Sequence, residues 1–399
     1  MSDLSRDSLA RVTRHFVLAA GGTGGHMMPA HALAGELARR GHKVMLITDQ
    51  RGMRIPGIFD GMKVHVLPAG RLGGGPIGWA KAARAIWRGR AEARSIFRML
   101  RPSAVVGFGG YPALPALLGA LADGVPTAVH EQNAVLGRVN RLLARRVTAI
   151  ATAYPKVQRL PAGAEAKVVM VGNPVRDEVL ALRDEPFPPL SEEGIFRLLV
   201  TGGSQGASIL SDVVPDGLGM MPVAFRQRLQ VTQQCRPEDI ESVRARYAAL
   251  GIPADLSTYI EDMPDRLGWS HLVIARAGAS TIAELTAAGR PAILIPLPSA
   301  TDDHQTANAR SMAESGGARS IAQPRFTPTE LAKQMQKLAL EPGALENAAR
   351  RARAAGLPNA TRDLADLVEG LGAAPQMGAA VRAAAQPKTQ PQAPREALA

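Results

Sequence analysis

The chain alternates short apolar runs with amphipathic stretches almost from one end to the other, and this alternation most limits its possible fold. The apolar runs are too uniform for strands with one solvated face, and they suit parallel strands covered by helices on both faces. Such strand–helix alternation is typical of doubly wound α/β sheets. The predicted strands are 15–21, 43–48, 63–67, 104–109, 126–130, 147–153, 197–203, 228–234, 256–260, 271–278 and 291–298.

The two halves of the chain open in the same way. FVLAAGGTGGH (16–26) and LLVTGGSQGA (198–207) each run from a predicted strand into a Gly-rich turn, and a proline- and acid-rich segment (183–194) separates the two series. A length of 399 residues also exceeds one ordinary core. We therefore predict two Rossmann-like domains that face one another across a cleft. Their expected bounds are 1–175 and 176–356, and the Ala-, Pro- and Gln-rich segment 372–399 is expected to be disordered.

Charge and cysteine content limit the partners and the compartment. The formal net charge is +12, which favours nucleic acid, an acidic membrane surface or phosphorylated substrates as partners. The single cysteine, Cys235, excludes an internal disulfide and fits a reducing compartment. No apolar run approaches the ~18 residues that span a bilayer, and the first 15 residues lack the apolar region of a signal peptide. We expect a soluble, cytosolic protein that can still lie on a membrane.

The Gly-rich turns favour phosphate binding. Glycines let the backbone approach a phosphate closely, and the following helix supplies free N–H groups and the positive end of its dipole. GGTGGH lacks the third glycine of the dinucleotide fingerprint, because Met27 stands there, and it lacks the Lys-Ser/Thr ending of a P-loop. The second turn fails both patterns as well. Tight strand–helix packing without a ligand remains an alternative for each turn.

Further polar groups follow predicted strands, where open α/β sheets bind ligands. FGGYPALP (108–115), HEQN (130–133) and GNPVR (172–176) are three such segments. ARAGASTIAE (275–284) opens a helix that carries Glu284 in its first turns. That carboxylate can accept hydrogen bonds from two sugar hydroxyls, or it can be an acid that the helix dipole favours. PLPSATDDHQTANA (296–309) supplies amide and hydroxyl groups suited to a sugar.

Together, GGTGGH, GGY, HEQN, GNPVR, GGSQGA, the 275–284 segment and a DxHQxxNA-like segment closely resemble the bacterial MurG family of glycosyltransferases over about residues 15–355. The resemblance implies a GT-B fold whose C-terminal helix, at about 357–371, crosses back to the first domain. It implies inverting transfer of N-acetylglucosamine from UDP-GlcNAc to the C4 hydroxyl of MurNAc in lipid I, which forms lipid II for peptidoglycan synthesis. It also implies a peripheral location on the cytoplasmic face of the cell membrane, contacts with other cell-wall synthesis proteins, and roles in cell shape and division.

The resemblance also assigns a donor site. The uridine edge is expected at the backbone of Ile260, the ribose at Glu284, and the GlcNAc hydroxyls at Gln305. Donor phosphate is expected at Ser204 and at the helix start 279–281, while the first Gly-rich turn faces the donor sugar and the acceptor diphosphate. The implied donor-binding residues are Thr23, Gly24, Gly25, Asn133, Arg176, Ser204, Ile260, Ala279, Ser280, Thr281, Ile282, Ala283, Glu284 and Gln305.

His26 is the candidate general base for removing the acceptor's proton. An unperturbed histidine pKa near ~6.5 suits that task at neutral pH. The alternative is that His26 only positions the donor or a phosphate, and His130 and Glu131 are weaker candidates for the base. Charge develops on the leaving diphosphate, and N–H donors of the two turns can stabilise it without a metal. The sequence lacks an Asp-x-Asp metal motif, so we expect neither a metal nor another cofactor.

The basic segment 78–101 is the candidate membrane contact. Trp79, Ile86 and Trp87 stand among lysines and arginines, a composition typical of a helix in an anionic interface. An ordinary amphipathic helix with a solvated basic face is the alternative.

Other classes of protein remain as rivals. One is another GT-B enzyme, either a transferase for a different lipid or small molecule or a UDP-GlcNAc epimerase. The HEQN segment and the basic segment 78–101 favour the lipid I acceptor over it. The missing third glycine disfavours a dehydrogenase. A nucleic-acid-binding protein is suggested by the charge alone, and the polar groups at strand ends disfavour it.

Overall fold

Two parallel sheets carry the part of the chain that the computed structural model describes, which comprises residues 13–22, 24–54, 62–70, 75–191, 193–203, 206–341 and 343–373. The first sheet contains β1 (His15–Ala19), β2 (Lys43–Thr48), β3 (Lys63–Val66), β4 (Ala104–Gly107), β5 (Thr127–Glu131), β6 (Ala149–Thr152) and β7 (Val168–Met170). The second contains β8 (Phe196–Thr201), β9 (Leu229–Gln234), β10 (Ala254–Ser257), β11 (Leu272–Ala275), β12 (Ala292–Leu294) and β13 (Ala318–Ser320).

Helices cover both sheets. Those that follow the strands of the first sheet are α1 (Gly24–Arg39), α2 (Gly75–Leu100), α3 (Ala113–Ala122), α4 (Arg138–Leu143) and α5 (Asp177–Ala181). The second series comprises α6 (Ser208–Gly219), α7 (Val223–Arg226), α8 (Ile240–Ala249), α9 (Met263–Trp269), α10 (Ala279–Ala288), α11 (His304–Glu314), α12 (Pro328–Ala339), α13 (Ala344–Ala355) and α14 (Ala360–Gly372). Within the described ranges, no helix is long and apolar enough to cross a membrane.

Both sheets reverse their strand order at a central pair. The first runs β3-β2-β1-β4-β5-β6-β7 and the second β10-β9-β8-β11-β12-β13, and the observed pairings are parallel. Phe16 of β1 lies between Val44 and Ala104 in the first sheet. Such reversals leave a crevice at the carboxyl ends of the central strands, where open α/β sheets bind ligands. The Gly-rich turns after β1 and β8 therefore start at the two crevices.

The last described helix returns to the first sheet. Leu364 and Val368 of α14 are fully buried in the cluster that holds Phe16 and Leu33. Arg40, at the end of α1, makes 2.6 Å ion pairs with Asp366 and Glu369 of the same helix. The expected crossing helix at about 357–371 is observed at residues 360–372. Of the segment 372–399, which we expected to be disordered, residues 374–399 lie outside the described part of the chain.

Three strands differ from the sequence-based expectation. β7 and β13 were not predicted, and β10 lies two residues earlier than the predicted 256–260. The two unpredicted strands are sheet edges of three residues each, and most of their side chains are partly or fully exposed. Such short, half-exposed segments lack the apolar run that marks the central strands.

Candidate active site

His26 lies in the first turn of α1 and faces the loop that follows β4. Its Nδ1 lies 3.3 Å from the carbonyl oxygen of Gly21, a spacing that assigns the proton to Nδ1 and leaves Nε2 as an acceptor. Gly109 and Gly110 have φ of +86° and +72°, and a Cβ on either would stand 3.3–3.4 Å from the imidazole. The glycines of the predicted FGGY segment therefore make room for the imidazole.

The surroundings of His26 keep it neutral. Burial lowers the pKa of its imidazole below the usual 6.5, and His304 of the second domain acts in the same direction. Glu131 and the Gly21 carbonyl oppose that shift without reversing it. The imidazole thus has a free nitrogen and no proton on it near pH 7, as a general base requires.

His130 has no nitrogen free for proton transfer. It is fully buried; its Nε2 bonds to the carbonyl oxygen of Gly172 at 2.9 Å, and its Nδ1 accepts from the side-chain amide of Gln132 at 2.9 Å. Burial lowers the pKa of His130 to about 4. These contacts fix the loop after β5 and make His130 a structural residue.

Glu131 is likewise occupied by its own loop. One carboxylate oxygen accepts from the backbone N–H and the side-chain amide of Asn133, both at 3.1 Å. The other accepts from the Gly137 N–H at 2.7 Å and the Asn140 side chain at 2.9 Å. Four hydrogen bonds compensate a carboxylate that is only 2% exposed. Glu131 therefore orders the loop that carries Asn133.

Asn133 joins the two domains through Asn308 of α11. The Asn308 side-chain amide donates to Asn133 Oδ1 at 3.0 Å and to the carbonyl oxygen of Ala277 at 3.3 Å. The Asn308 Oδ1 accepts from the Ala134 N–H at 2.8 Å. Asn308 is fully buried, so one side chain ties the loop after β5 to the loop after β11.

Arg176 forms an ion pair with Glu284 of α10. Arg176 Nη2 donates to Glu284 Oε1 at 2.9 Å, and both side chains are partly buried. Burial raises the pKa of Glu284, while the neighbouring guanidinium counteracts that rise. Two residues that the sequence placed in the donor site are thus in contact, over a separation of 108 residues.

The start of α10 has free polar groups. Gly278 is the N-cap residue, and it offers no side-chain acceptor to the first N–H groups of the helix. The Ser280 hydroxyl is buried and makes no hydrogen bond within the described ranges. A helix start of this kind attracts anions. Ala279, Ile282 and Ala283 line a cavity of about 240 Å³ between the domains, and the Ile282 side chain also packs in the core of the second domain.

Gln305 and Ile260 differ in which of their groups is left for a ligand. Gln305 Oε1 accepts from the backbone N–H groups of Ala277 and Leu297, at 3.2 and 3.0 Å, so its –NH₂ group is the part left for a ligand. The Ile260 side chain is buried in the same core as Ile282, which leaves its backbone for recognition.

Some polar residues of each domain line one cavity of about 280 Å³. His26, Glu131 and Asn133 line it from the first domain, and Asp302 and His304 line it from the second. Asp302 also forms ion pairs with Arg141 and Arg159 across the cleft. Within the described ranges, no group of three or more His, Cys, Asp or Glu side chains is arranged to hold a metal ion.

Some predicted residues lie elsewhere or cannot be placed. Thr23 and Ser204 lie outside the described residues, while Gly24 and Gly25 begin α1 beside His26. Trp79 and Trp87 are 56% and 68% exposed on α2, away from the cavity, whereas Ile86 packs partly against the core of the first domain.

Sequence analysis missed the domain-bridging roles of Asn308 and Asp302. Both stand in the quoted DxHQxxNA-like segment, which was the available signal.

The fold and this cleft define a class, the GT-B glycosyltransferases with two Rossmann-like domains. Residues 16–152 match the glycosyltransferase family 28 N-terminal domain, and residues 197–367 match the family's C-terminal domain. The chain therefore belongs to glycosyltransferase family 28.

Two curated relatives are similar in sequence to this chain over most of its length. A protein of Novosphingobium aromaticivorans is 66% identical over 369 residues, which cover 92% of this chain and 95% of that protein. One of Zymomonas mobilis is 65% identical, with 90% and 93% covered. Both are named UDP-N-acetylglucosamine–N-acetylmuramyl-(pentapeptide) pyrophosphoryl-undecaprenol N-acetylglucosamine transferase.

Solved structures agree with this placement. The crystal structure of Acinetobacter baumannii MurG has a TM-score of 0.73 and 31% sequence identity, covering 90% of this chain and 99% of that one. The UDP-GlcNAc 2-epimerase of Neisseria meningitidis has a TM-score of 0.63 at 14% identity, covering 89% of this chain and all of that one. The epimerase thus shares the fold alone.

Proposed function

We propose that this chain transfers N-acetylglucosamine from UDP-GlcNAc to the C4 hydroxyl of MurNAc in lipid I, forming lipid II with inversion at the anomeric carbon. The observation that carries the proposal is the 66% identity to a transferase of that name across 95% of its length. The cavity adds a physical reason, because a candidate base of the first domain and polar side chains of the 301–304 segment of the second domain face it together.

The donor would lie against the second domain. The free N–H groups at the start of α10 and the unpaired Ser280 hydroxyl suit its diphosphate. Ribose hydroxyls would compete with Arg176 for Glu284, which releases that guanidinium toward the diphosphate. The –NH₂ group of Gln305 remains for the sugar, as does the second N–H of the Asn133 –NH₂ group, whose first N–H bonds to Glu131. The backbone of Ile260 remains for the uracil edge.

Transfer requires a base and a stabilised leaving group. His26 Nε2 would take the proton of the attacking hydroxyl, with the tautomer held by the Gly21 carbonyl. The start of α1, at Gly24 and Gly25, would face the acceptor diphosphate. Negative charge that develops on departing UDP would meet the amide groups of α10, whose orientation is fixed before the reaction begins.

The acceptor is a polyprenyl lipid, so the enzyme must reach the membrane. Ile77, Trp79 and Trp87 are exposed along α2, as are the cations Arg84 and Arg88. Exposed tryptophans with arginines suit an anionic interface. We propose peripheral attachment to the cytoplasmic face of the membrane through this helix, without Ile86, which faces the core.

Transfer of radiolabel from UDP-GlcNAc to a lipid I analogue tests the proposed reaction. The expected product is a labelled lipid that carries one additional GlcNAc. A folded protein that binds UDP yet labels no lipid I would overturn the assignment. Labelling of another lipid or a small molecule would instead identify a different family 28 transferase, and salt-sensitive DNA binding without UDP binding would support the nucleic-acid alternative.

A further inference from the structure

One carboxylate in the second domain binds two arginines of the first. Asp302 Oδ2 accepts from Arg141 Nη2 at 2.6 Å, and Asp302 Oδ1 accepts from Arg159 Nη1 at 2.5 Å. Arg141 belongs to α4, and Arg159 lies in the loop that follows β6. Each carboxylate oxygen therefore holds one guanidinium, and the Asp302 side chain is only 14% exposed.

The backbone at this point adopts a conformation that side chains rarely favour. Asp302 and its neighbour Asp303 have φ of +56° and +54°, in the left-handed region. Such a conformation costs roughly 1 kcal/mol per residue and persists where surrounding contacts hold it. Asp303 is held within its own segment, since its carboxylate accepts from the Thr306 hydroxyl at 2.7 Å. Asp302 is held instead by the opposite domain.

The same segment carries polar groups that face the cavity. His304 and Asp302 line the cavity beside His26, and Asn308 bonds to Asn133 across the cleft. Gln305 fixes the two loops next to the start of α10. A change in the distance between Asp302 and the first domain would therefore move the candidate sugar-binding groups relative to the candidate base.

We propose that Asp302 is a positioning residue whose ion pairs with Arg141 and Arg159 clasp the two domains and hold the 301–308 segment over the bound nucleotide sugar. This inference rests on the proposed function for its ligand, while the clasp itself is a property of the unliganded protein. In this role Asp302 acts through the separation of the two domains.

Asp302→Asn tests the clasp with little disturbance of the backbone. Asparagine tolerates left-handed φ and keeps the size of the side chain, so charge is the main property lost. Asp303→Asn is the matched control, because it makes the same change at the next left-handed residue, which makes no ion pair across the cleft with any described residue.

The first readout is the radius of gyration of the ligand-free protein, measured by small-angle X-ray scattering. We expect Asp302→Asn to be more extended than the wild type and Asp303→Asn to match the wild type. The second readout is steady-state kinetics, with an expected rise of about 3- to 10-fold in KM for UDP-GlcNAc and a smaller change in kcat. Raising salt from 50 to 500 mM should increase the wild-type KM and change that of Asp302→Asn less, because salt screens the pairs.

Arg159→Gln supplies a second route if Asp302→Asn folds poorly, since Arg159 is half exposed. The double variant should add little to Asp302→Asn, because Asp302→Asn already removes the ion pair with Arg159. Equal radii and equal KM values for Asp302→Asn, Arg159→Gln and the wild type would overturn the clasp. If the wild type transfers no sugar but Asp302→Asn still extends the molecule, the clasp stands and the proposed function fails.

Discussion

At the scale of single residues, the protonation state of His26 can be used to distinguish its two possible roles. His26 either acts as the general base or only positions a ligand. Because burial lowers its pKa below 6.5, the basic form is already populated at neutral pH. We expect kcat to be flat near pH 7 and to fall only below pH 6.5, approaching tenfold per pH unit. His26→Gln should lower kcat by about 10²- to 10⁴-fold and abolish this acidic limb.

The measurement is kcat against pH with saturating UDP-GlcNAc, with UDP affinity as the control for a folded donor site. Near-normal kcat in His26→Gln would remove the base assignment and leave a positioning role.

Asn133→Ala is a useful contrast. It breaks the bond to Asn308 and should raise KM more than it lowers kcat.

His130 should make stability depend on pH in a definite direction. Its pKa is about 4 in the fold and ~6.5 in an unfolded chain. Between these values the unfolded state binds the extra proton, so the free energy of unfolding falls as the pH drops, by ~2 kcal/mol at pH 5. Urea denaturation at pH 7 and pH 5 checks this. Measurement at pH 8, where the contribution of His130 no longer changes with pH, gives the reference. His130→Gln should be less stable at pH 7 and lose less on acidification, and an unchanged loss would contradict the assignment.

The sequence predicted the types of residue at the site better than their contacts. GGTGGH, HEQN and the 275–284 segment all reach the cleft. Glu131 was a candidate base, yet four hydrogen bonds occupy it, and no local pattern reveals that two of them come from Gly137 and Asn140. The bridges made by Asn308 and Asp302 join residues more than 140 positions apart, so only the folded chain defines them.

At the scale of secondary-structure elements, the exposed residues of α2 should decide membrane attachment. We expect the protein to sediment with vesicles that contain anionic lipid and to bind neutral vesicles weakly. Trp79→Ser combined with Trp87→Ser should reduce binding to both. Arg84→Gln with Arg88→Gln should reduce the preference for anionic lipid, by ~1 kcal/mol for each cation near the surface.

Met220→Ser is the control for this experiment, since Met220 is 52% exposed at the end of α6 in the other domain. Binding to neutral and anionic vesicles with equal strength would remove the electrostatic part of the proposal. Loss of binding in the control as well would indicate nonspecific adsorption.

The strength of the hydrophobic signal determined which elements could be predicted. Central strands such as β4 are buried along their whole length, and their apolar runs are visible in the sequence. The edge strands β7 and β13 were missed because three partly exposed residues produce no periodicity. On α2, Trp79 and Ile86 lie seven residues apart on one side of the helix, and composition alone could not reveal that the core begins between them.

At the scale of the whole molecule, the point where the chain passes between domains should tolerate little change. Gly172 has φ of +93°, and a Cβ there would stand 2.8 Å from Ala360 Cβ and 3.0 Å from Leu357 Cβ, at the start of the returning segment. Gly172→Ala should therefore cost ~1 kcal/mol for its backbone conformation and a further ~1–3 kcal/mol for overpacking.

Gly163→Ala isolates the first of these costs, because Gly163 has φ of +82° and open space around its Cβ position. Urea denaturation of the two variants gives the difference in the free energy of unfolding. Equal losses in the free energy of unfolding for the two variants would show that the chain at Gly172 and the segment it approaches relax around the added methyl group without further cost.

The return of α14 to the first sheet also has a consequence for synthesis on the ribosome. The core around Phe16 and Leu33 needs Leu364 and Val368, which are translated about 200 residues after β7. At roughly 5–20 residues per second, that interval is about 10–40 s. During it, the nascent first domain exposes the apolar surface that α14 later covers. The first domain to emerge is thus the last to be completed. Its apolar surface is therefore the part of the nascent chain that chaperones must shield for the longest time.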